Sequence, residues 1–400
     1  MKLEDRLKKY VSFETTSNPD NDMCPSSQGQ SVLADYLVEE LKEIGVTNAY
    51  KDEHGYVYAK LVGNAQAPAI GFVAHMDTSP DMYGKCDNPQ VIAYEGGDIP
   101  LNEKYSITEE DFPFLSDLVG QKLMTTAGDS LLGADNKAGI AIIMELADYL
   151  VQNPDLKRGD VCIAFTPDEE IGRGADLFNV ADFGADFAYT IDGGPIGELE
   201  YESFNAASAS VHIKGKNVHP GTAKDVMINS QLIAMELEAM LPKAQKPEHT
   251  EKYEGFYLLT NIEGNVEETK MHYIIRDHSK ELFQEKKNLF EKIVDFLNVK
   301  YGNLIDLKIE DSYYNMREKI EERMEIVELA KEAYIECGVE PNIKAIRGGT
   351  DGSKLSFMGL LTPNIFTGGY NYHGRFEFIS LDQMEKSFEI VRTIVKNNAR

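Results

Sequence analysis

The sequence lacks several features that would assign it to particular protein classes. It contains no tryptophan and only four cysteines, which lack the paired spacing of a disulfide framework or a zinc finger. We therefore expect reduced thiols. No apolar run approaches the ~20 residues that a membrane-spanning helix needs, and the N-terminus MKLEDRLKKY lacks the pattern of a signal peptide. These absences predict a soluble, cytoplasmic protein that does not use a membrane as a partner.

Positive charge is also scarce. Lys and Arg number 40 against 67 Asp and Glu, and the formal net charge is −27. Nucleic-acid binding requires clustered basic residues that neutralise phosphates, so this balance argues against a nucleic-acid partner. Hydrophobic residues make up 42% of the 400 positions, which is enough for a substantial core. Because single cores stop growing near ~250–300 residues, we expect two domains.

Apolar patterns divide the chain into three parts. The first part alternates helical stripes with runs typical of buried strands, at 69–74, 161–165 and 187–191. The middle part has alternating strand patterns and two helices, and α/β texture then returns. We predict an α/β fold: a catalytic domain with a helix-flanked, mostly parallel sheet (1–205 and 313–400) and an inserted α+β lid domain (206–312). Ser380 and Gln383 should form a capping box at the last helix.

Acidic residues and a histidine follow the predicted buried strands. They lie in the segments AIGFVAHMD, LLGADNKAG, VCIAFTPDEE and FAYTIDGG, and they are His75, Asp77, Asp135, Glu169, Glu170 and Asp192. Open α/β sheets bind ligands at the carboxyl ends of their strands, so these side chains should meet in one crevice. Imidazole and carboxylate groups without cysteine are typical ligands of zinc, manganese or cobalt. Since the oxygens exceed the needs of one ion, the sequence predicts a two-metal hydrolase.

For His75, Asp77 and Asp135, the sequence allows both a metal-site role and an ordinary structural role. His75 and Asp77 project to the same side of one extended segment. We expect Asp77 to accept the far imidazole N–H of His75 rather than to bind the ion, although an ordinary strand-end histidine paired with an aspartate would look the same. Asp135 could reach two ions with its two oxygens, or it could cap the helix that follows.

The remaining positions are equally open when each is taken alone. Glu169 and Glu170 cannot both bind one ion comfortably, so one would be a ligand and the other a free base facing the bound water. The alternative is a charged loop, since Asp168 beside them shows that acidic runs are common in this chain. His373, in the aromatic segment GGYNYHGRFEF, could be a ligand or a packed loop histidine.

Three residues outside this set are candidates for substrate binding. His219, in KNVHPGTAK, could donate a hydrogen bond to a developing oxyanion, although a histidine in such a loop is most often only a surface residue. Arg276 in MHYIIRD and Arg347 in IRGGTDGS could each bind a substrate carboxylate with two parallel hydrogen bonds. Either arginine could equally form a structural ion pair, and the sequence does not distinguish these roles.

Long segments of the chain closely resemble the M20 metallopeptidase family, and within it the tripeptide aminopeptidases. In chain order they are HMDTSPD, LLGADNKAGI, TPDEEIGRGA, VHPGTAK, MHYIIRD, SYYNMREK, IRGGTDGSKLSFMG and IFTGGYNYHG. The resemblance extends through essentially the whole chain. It implies a two-zinc catalytic domain with an inserted lid domain, and release of the N-terminal residue from tripeptides.

The resemblance also implies a role for each matching residue. It assigns His75 and Asp192 to one zinc, Glu170 and His373 to the other, Asp135 as the bridging ligand, Glu169 as the general base, Asp77 as the support of His75, and His219 as a substrate-binding residue. Two positions depart from the family pattern. Many relatives have a second aspartate where this chain has Asn136, which is not a ligand position. Relatives often have another histidine at Phe376, and its absence favours His373 as the terminal ligand.

The leading hypothesis is an enzyme, an aminopeptidase that attacks the first peptide bond of tripeptides with a hydroxide bound to two zinc ions. Manganese or cobalt are possible substitutes for zinc. A dipeptidase, a carboxypeptidase or an N-acyl-amino-acid deacylase would share the metal ligands and differ in the lid pocket. A catalytically silent peptide- or metal-binding protein would be expected to lack the base or a ligand, and none is missing here. A homodimer is compatible with the sequence but does not follow from it.

Overall fold

The computed structural model describes residues 1–400, and its elements follow the apolar patterns of the sequence. The helices are α1 (Leu3–Val11), α2 (Gln28–Ile44), α3 (Ala134–Gln152), α4 (Val180–Phe183), α5 (Ser230–Met240), α6 (Lys280–Tyr301), α7 (Arg317–Ile320), α8 (Glu325–Glu336), α9 (Asp351–Phe357) and α10 (Leu381–Asn397). The strands are β1 (Tyr50–Lys51), β2 (Val57–Leu61), β3 (Ile70–His75), β4 (Gln90–Ala93), β5 (Ile99–Pro100), β6 (Ser106–Ile107), β7 (Lys122–Thr125), β8 (Val161–Thr166), β9 (Phe187–Gly193), β10 (Glu198–Glu200), β11 (Asn205–Lys214), β12 (Phe256–Gly264), β13 (Glu268–Asp277), β14 (Ile305–Tyr313), β15 (Asn342–Ile343), β16 (Asn364–Phe366), β17 (Gly369–Tyr370) and β18 (Phe378–Ser380). None of the helices is both long enough and apolar enough to cross a membrane.

The first of two structural units is built on an eight-stranded sheet. This unit comprises Met1–Tyr201, Met316–Lys344 and Thr350–Arg400, and its sheet has the order β1-β2-β8-β3-β9-β16-β10-β15. The central strands β8, β3, β9 and β16 are parallel to one another. Strands β3 and β8 are buried along their whole length, as expected when helices cover both faces of a sheet. The predicted helix-flanked, mostly parallel sheet is confirmed.

The first unit also contains a four-stranded antiparallel sheet that the sequence does not predict. Its order is β17-β18-β7-β4, and its strands have only two to four residues. Such strands are too short for the alternation of apolar and polar residues to be recognised. Leu123 and Phe378 from this sheet are buried in a cluster with Leu115 and Leu118. The sheet fixes both ends of the loop between β17 and β18, which carries His373.

The second unit contains a four-stranded antiparallel sheet in the order β12-β13-β11-β14. Along β13, Met271, Tyr273 and Ile275 alternate with more exposed residues, so that one face of the sheet is apolar. Helices α5 and α6 cover that face, and Leu237 and Phe290 belong to the same buried core. The predicted inserted α+β domain is therefore confirmed as a fold class.

The second unit has wider bounds than the predicted range 206–312. It comprises Glu202–Asn315 together with Ala345–Gly349, whereas the prediction assigned 202–205, 313–315 and 345–349 to the catalytic domain. The reason is backbone pairing. Ile346 N–H donates to the carbonyl of Glu202 (2.8 Å), and the Ile346 carbonyl lies 3.0 Å from His278 Nε2. No change of amino-acid composition in the sequence indicates that this short segment belongs to the second unit.

The helix ends show where local sequence signals hold. Helix α2 ends at Gly45, whose φ of +117° is left-handed, as the glycine at that position predicts. The predicted capping box of α10 is only half formed, because Ser380 Oγ accepts the N–H of Gln383 (3.2 Å) but the return bond is absent. The Gln383 amide instead accepts from the N–H of Ile196 (3.1 Å) and donates to Gln121 (3.2 Å).

A buried arginine generates a stability prediction for the first unit. Arg6 of α1 is 1% exposed and contacts the buried Glu40 (Nε–Oε1 3.0 Å), as well as Asp148 and Glu145. Arg6→Met should lower the free energy of unfolding by about 3–5 kcal/mol, because the Glu40 carboxylate would stay buried without its cation. Urea unfolding followed by circular dichroism would measure this loss.

The matched control for that experiment is Arg400→Met. It removes an exposed pair, Arg400 Nη2–Glu336 Oε2 at 3.3 Å, and should cost less than about 1 kcal/mol. Equal losses in the two variants would show that the Arg6 contacts contribute no more than a surface ion pair.

Candidate metal centre

The carboxyl ends of the parallel strands bring most of the predicted site residues to one edge of the sheet. His75 is the last residue of β3 and pairs in register with Thr166, the last residue of β8. Glu169 and Glu170 form a short helical turn that follows β8 directly. Asp192 lies near the end of β9, which is parallel to β3. These predicted side chains therefore lie together at the carboxyl edge of the sheet in the first unit.

Asp135 and His373 reach this edge from outside the sheet. Asp135 lies at the start of α3 with non-helical angles (φ −82°, ψ 102°), and Gly133 occupies the N-cap position with φ +77°. The Asp135 oxygens contact His75 and His373 instead of capping α3. It is Asn136 Oδ1 that accepts a helix N–H, from Gly139 (3.2 Å). His373 lies in the loop between β17 and β18 with a left-handed φ of +63°.

The five predicted ligands form two clusters that share one aspartate. Asp135 Oδ1 is 3.0 Å from His75 Nε2, and Asp135 Oδ2 is 3.3 Å from His373 Nε2. His75 Nε2 is also 3.5 Å from Asp192 Oδ1, and His373 Nε2 is 3.0 Å from Glu170 Oε2. Within each cluster the three ligand atoms lie within 4.8 Å of one another. Each cluster therefore contains one imidazole, one carboxylate of its own and one oxygen of Asp135.

The electrostatics of these clusters indicate sites for cations. Burial raises the pKa of Asp192 to about 6 and that of Glu170 to about 7, and the charge of Asp135 adds to both shifts. Hydrogen bonds that the His373 imidazole donates to the carboxylates of Asp135 and Glu170 raise the pKa of His373 to about 11. These shifts mean that the crowded carboxylates favour a nearby positive charge. Divalent cations would supply that charge, since a bound ion is a larger local charge than a proton.

The donor set fits a pair of divalent ions. Glu170 Oε1 is buried and has no hydrogen-bond partner, although buried carboxylate oxygens are normally satisfied. A metal ion would satisfy it. Neutral imidazole nitrogens and carboxylate oxygens, without thiolates, suit zinc, manganese and cobalt.

Asp77 contacts both His75 and the glutamate turn. The hydrogen bond of His75 Nδ1 goes to the Asp77 carbonyl oxygen (3.0 Å), and the Asp77 carboxylate lies slightly farther away (3.3 Å). Asp77 therefore supports His75 chiefly through its backbone. Its carboxylate accepts the N–H groups of Glu169 (3.0 Å) and Glu170 (3.1 Å). The sequence does not predict this second contact, because about ninety residues separate the partners.

Two further buried aspartates hold the glutamate turn, and the sequence analysis missed both. Asp168, which the sequence analysis cited only as a sign that acidic runs are common, is fully buried. It accepts hydrogen bonds from the Ser26 N–H and hydroxyl and from Gln30 Nε2 (2.7 Å). Asp351 accepts the hydroxyl of Thr166 (2.6 Å), just before the turn. Nothing in the local sequence distinguishes these carboxylates from exposed ones.

The three predicted substrate-binding residues lie in the second unit and are not part of these clusters. His219 is exposed, and its Nδ1 accepts a backbone N–H of its own loop (3.1 Å). Arg276 lies over the ring of Tyr313 and donates through Nη1 to two backbone carbonyls. Arg347 donates to three carbonyls and one hydroxyl of residues 250–254. Neither arginine forms the structural ion pair that the sequence left open.

Comparison with known proteins agrees with the metal-binding arrangement of these side chains. Residues 132–397, about two thirds of the chain, match the profile of peptidase family M20/M25/M40. The chain belongs to the M20 peptidase family. It is therefore an enzyme, a metallopeptidase, as its motifs predict. Peptidase T of Alkaliphilus oremlandii (strain OhILAs) is 56% identical over 399 residues, which cover 98% of each protein.

Solved structures of this family share the fold over almost the full length. A tripeptidase from Staphylococcus aureus subsp. aureus Mu50 superposes with a TM-score of 0.79 at 20% identity, covering 100% of this chain and 98% of the other. A dinuclear metal binding M20 peptidase from Bacillus subtilis gives a TM-score of 0.66 at 15% identity, covering 98% and 96%. At these identities the superpositions show a common fold.

Asp351 generates a prediction about pH. Burial raises its pKa from 3.8 to about 7, so the folded chain keeps a proton that the unfolded chain releases near pH 4. The resulting stabilisation is complete below about pH 4 and is lost as the pH rises to 7. In metal-free protein, Asp351→Asn should therefore reduce the fall in unfolding free energy over this range, by up to about 1.4 kcal/mol per pH unit. Urea titrations at stepped pH with a chelator would measure it, and identical pH slopes for both proteins would contradict it.

Proposed function

We propose that this M20 enzyme is an aminopeptidase that releases the N-terminal residue of tripeptides, with zinc in the two clusters and manganese or cobalt as possible substitutes. The observation that carries the proposal is the pair of clusters that share Asp135, with the Glu169 carboxylate outside both. The name peptidase T of a relative with 56% identity supports the reaction. The tripeptidase and the dinuclear peptidase of the same fold support the substrate length and the ion count.

The charges of the ligands support two ions rather than one. His75 and Asp192 would hold one ion, Glu170 and His373 the other, and Asp135 would bind both. The three carboxylates carry −3 against +4 for two divalent ions, so the ligands offset most of the added charge. When bound, the ions would lower the pKa of a water molecule and polarise the scissile carbonyl.

Glu169 is the proposed general base. It belongs to neither cluster, and burial raises its pKa above that of an ordinary glutamate, which makes its carboxylate a stronger proton acceptor. In the proposed reaction Glu169 takes the proton of the attacking water and delivers it to the leaving amine nitrogen. The hydrogen bond from its own N–H to Asp77 Oδ1 fixes the backbone from which its side chain extends.

The second unit would act as the lid and would recognise the far end of the peptide. Of the two arginines, Arg276 is the better candidate for the substrate carboxylate, because its hydrogen bonds use Nη1 alone. Both terminal nitrogens of Arg347 already donate hydrogen bonds to residues 250–254. We therefore assign Arg347 a structural role in stabilising that segment. His219 would present Nε2 to the developing oxyanion.

Replacement of the base tests the proposed mechanism. Glu169→Ala should lower kcat by about 10²–10⁴-fold, since proton transfer by a positioned side chain contributes that much. Metal analysis should still find about two ions per chain, because Glu169 lies outside both clusters. The exposed Glu53→Ala is the matched control and should leave activity and metal content unchanged. Full activity of Glu169→Ala would exclude this residue as the base.

Peptides that differ only at their ends test the proposed substrate. One tripeptide should be hydrolysed at its first bond, whereas its N-acetylated and C-amidated forms should be poor substrates, because the enzyme would need both free ends. Dipeptides and tetrapeptides of the same composition should also be slower. In Arg276→Gln the KM for the free tripeptide should rise towards that for the amide. Efficient cleavage of the acetylated peptide would instead indicate a deacylase, a carboxypeptidase or another M20 reaction.

A further inference from the structure

Glu377 is a buried carboxylate next to the metal centre that has no role in the reaction described above. Its side chain is 1% exposed, and it lies four positions after His373, just before β18. Oε2 accepts the N–H of Gly133 (2.9 Å), and Oε1 accepts the N–H of Asp135 (3.1 Å). Both oxygens are therefore engaged by the turn that carries the shared aspartate, and Glu377 is in neither ligand cluster.

We infer that Glu377 is a positioning residue that sets the Asp135 turn, so that Asp135 presents one oxygen to each cluster. This inference rests on the proposed function in taking Asp135 as the ligand of two ions. The backbone N–H groups at the start of a helix have no partner within the helix, and buried N–H groups need an acceptor. Glu377 supplies both acceptors, and a negative charge is favourable at this end of α3.

The same residue also fixes the loop that carries His373. The N–H of Glu377 donates to the carbonyl of Gly374 (3.1 Å), which closes the loop directly after His373. One side chain thus joins the segments that supply Asp135 and His373. These are two of the three ligands in the cluster with Glu170, whereas the cluster of His75 and Asp192 depends on Glu377 through Asp135 alone. Loss of Glu377 should therefore weaken the two clusters unequally.

The experiment is zinc binding by the metal-free, full-length Glu377→Gln variant, measured in competition with a chromophoric chelator. A glutamine offers one acceptor oxygen in place of two, so either Gly133 or Asp135 loses its partner. One of the two dissociation constants for zinc should rise about 10–100-fold, as is typical when a group that supports metal ligands is lost. The other should rise much less. The affected constant should be the one that His373→Gln also raises.

The matched control is Glu40→Gln. Glu40 is another buried glutamate with two partners, Arg6 and Tyr10, and it is not part of either cluster. Its variant should be less stable but should keep both zinc constants within about threefold of the original values. An unchanged pair of constants in Glu377→Gln, or an equal rise of both, would overturn the inference.

Two further outcomes keep the test decisive. If Glu377→Gln does not fold, Glu377→Asp keeps both acceptor oxygens on a shorter side chain, and it should still raise the constant that His373→Gln raises. A protein that binds two zinc ions but does not hydrolyse tripeptides would reject the proposed substrate and leave the role of Glu377 intact. A protein that binds only one ion would overturn the role of Glu377, because Asp135 would then have no second cluster to serve.

Discussion

Repulsion among buried carboxylates at the carboxyl edge of β3, β8 and β9 is the constraint that shapes the first unit. Burial raises the pKa of both Glu170 and Asp192, and the nearby charge of Asp135 adds to the cost of ionising each of them. Two imidazoles cannot offset this charge unless they are protonated, and a protonated imidazole is no longer a metal ligand. Divalent cations would resolve the conflict, because they would neutralise the carboxylates and leave both histidines as neutral ligands.

Carboxylates that bind no metal stabilise the geometry through backbone N–H groups. Asp77 accepts the N–H groups of Glu169 and Glu170, and Glu377 accepts those of the Asp135 turn. Each hydrogen bond orients a segment rather than a single side chain. Anchoring of this kind would reduce the reorganisation needed when an ion binds. It follows that acidic residues have two places in this site, as candidate metal ligands and as anchors for the segments that carry them.

The sequence predicts the ligands better than the anchors. His75 and Asp192 end long apolar strands, so their convergence follows from the rule for parallel sheets. Asp168 has the same local context as an exposed acid, and its partner Ser26 lies 142 positions away, so no local pattern reveals its burial. The antiparallel sheet that holds the His373 loop is not predicted either, because its strands are too short to show the alternation of apolar and polar residues. Residues Ala345–Gly349 belong to the second unit because of backbone hydrogen bonds, which the composition of the segment does not reveal.

The metal centre by itself does not determine which peptide is cleaved. The same imidazoles and carboxylates would serve a dipeptidase, a carboxypeptidase or a deacylase, because all of these reactions polarise a carbonyl and activate water. Selectivity must then come from donors that remain free to meet the ends of the substrate. Arg276 and Arg347 show why residue type is not enough, since Arg276 retains an unused terminal nitrogen and Arg347 has both terminal nitrogens bonded within its own unit. A free guanidinium can bind a terminal carboxylate with two hydrogen bonds, whereas a saturated one would first have to break bonds it already makes.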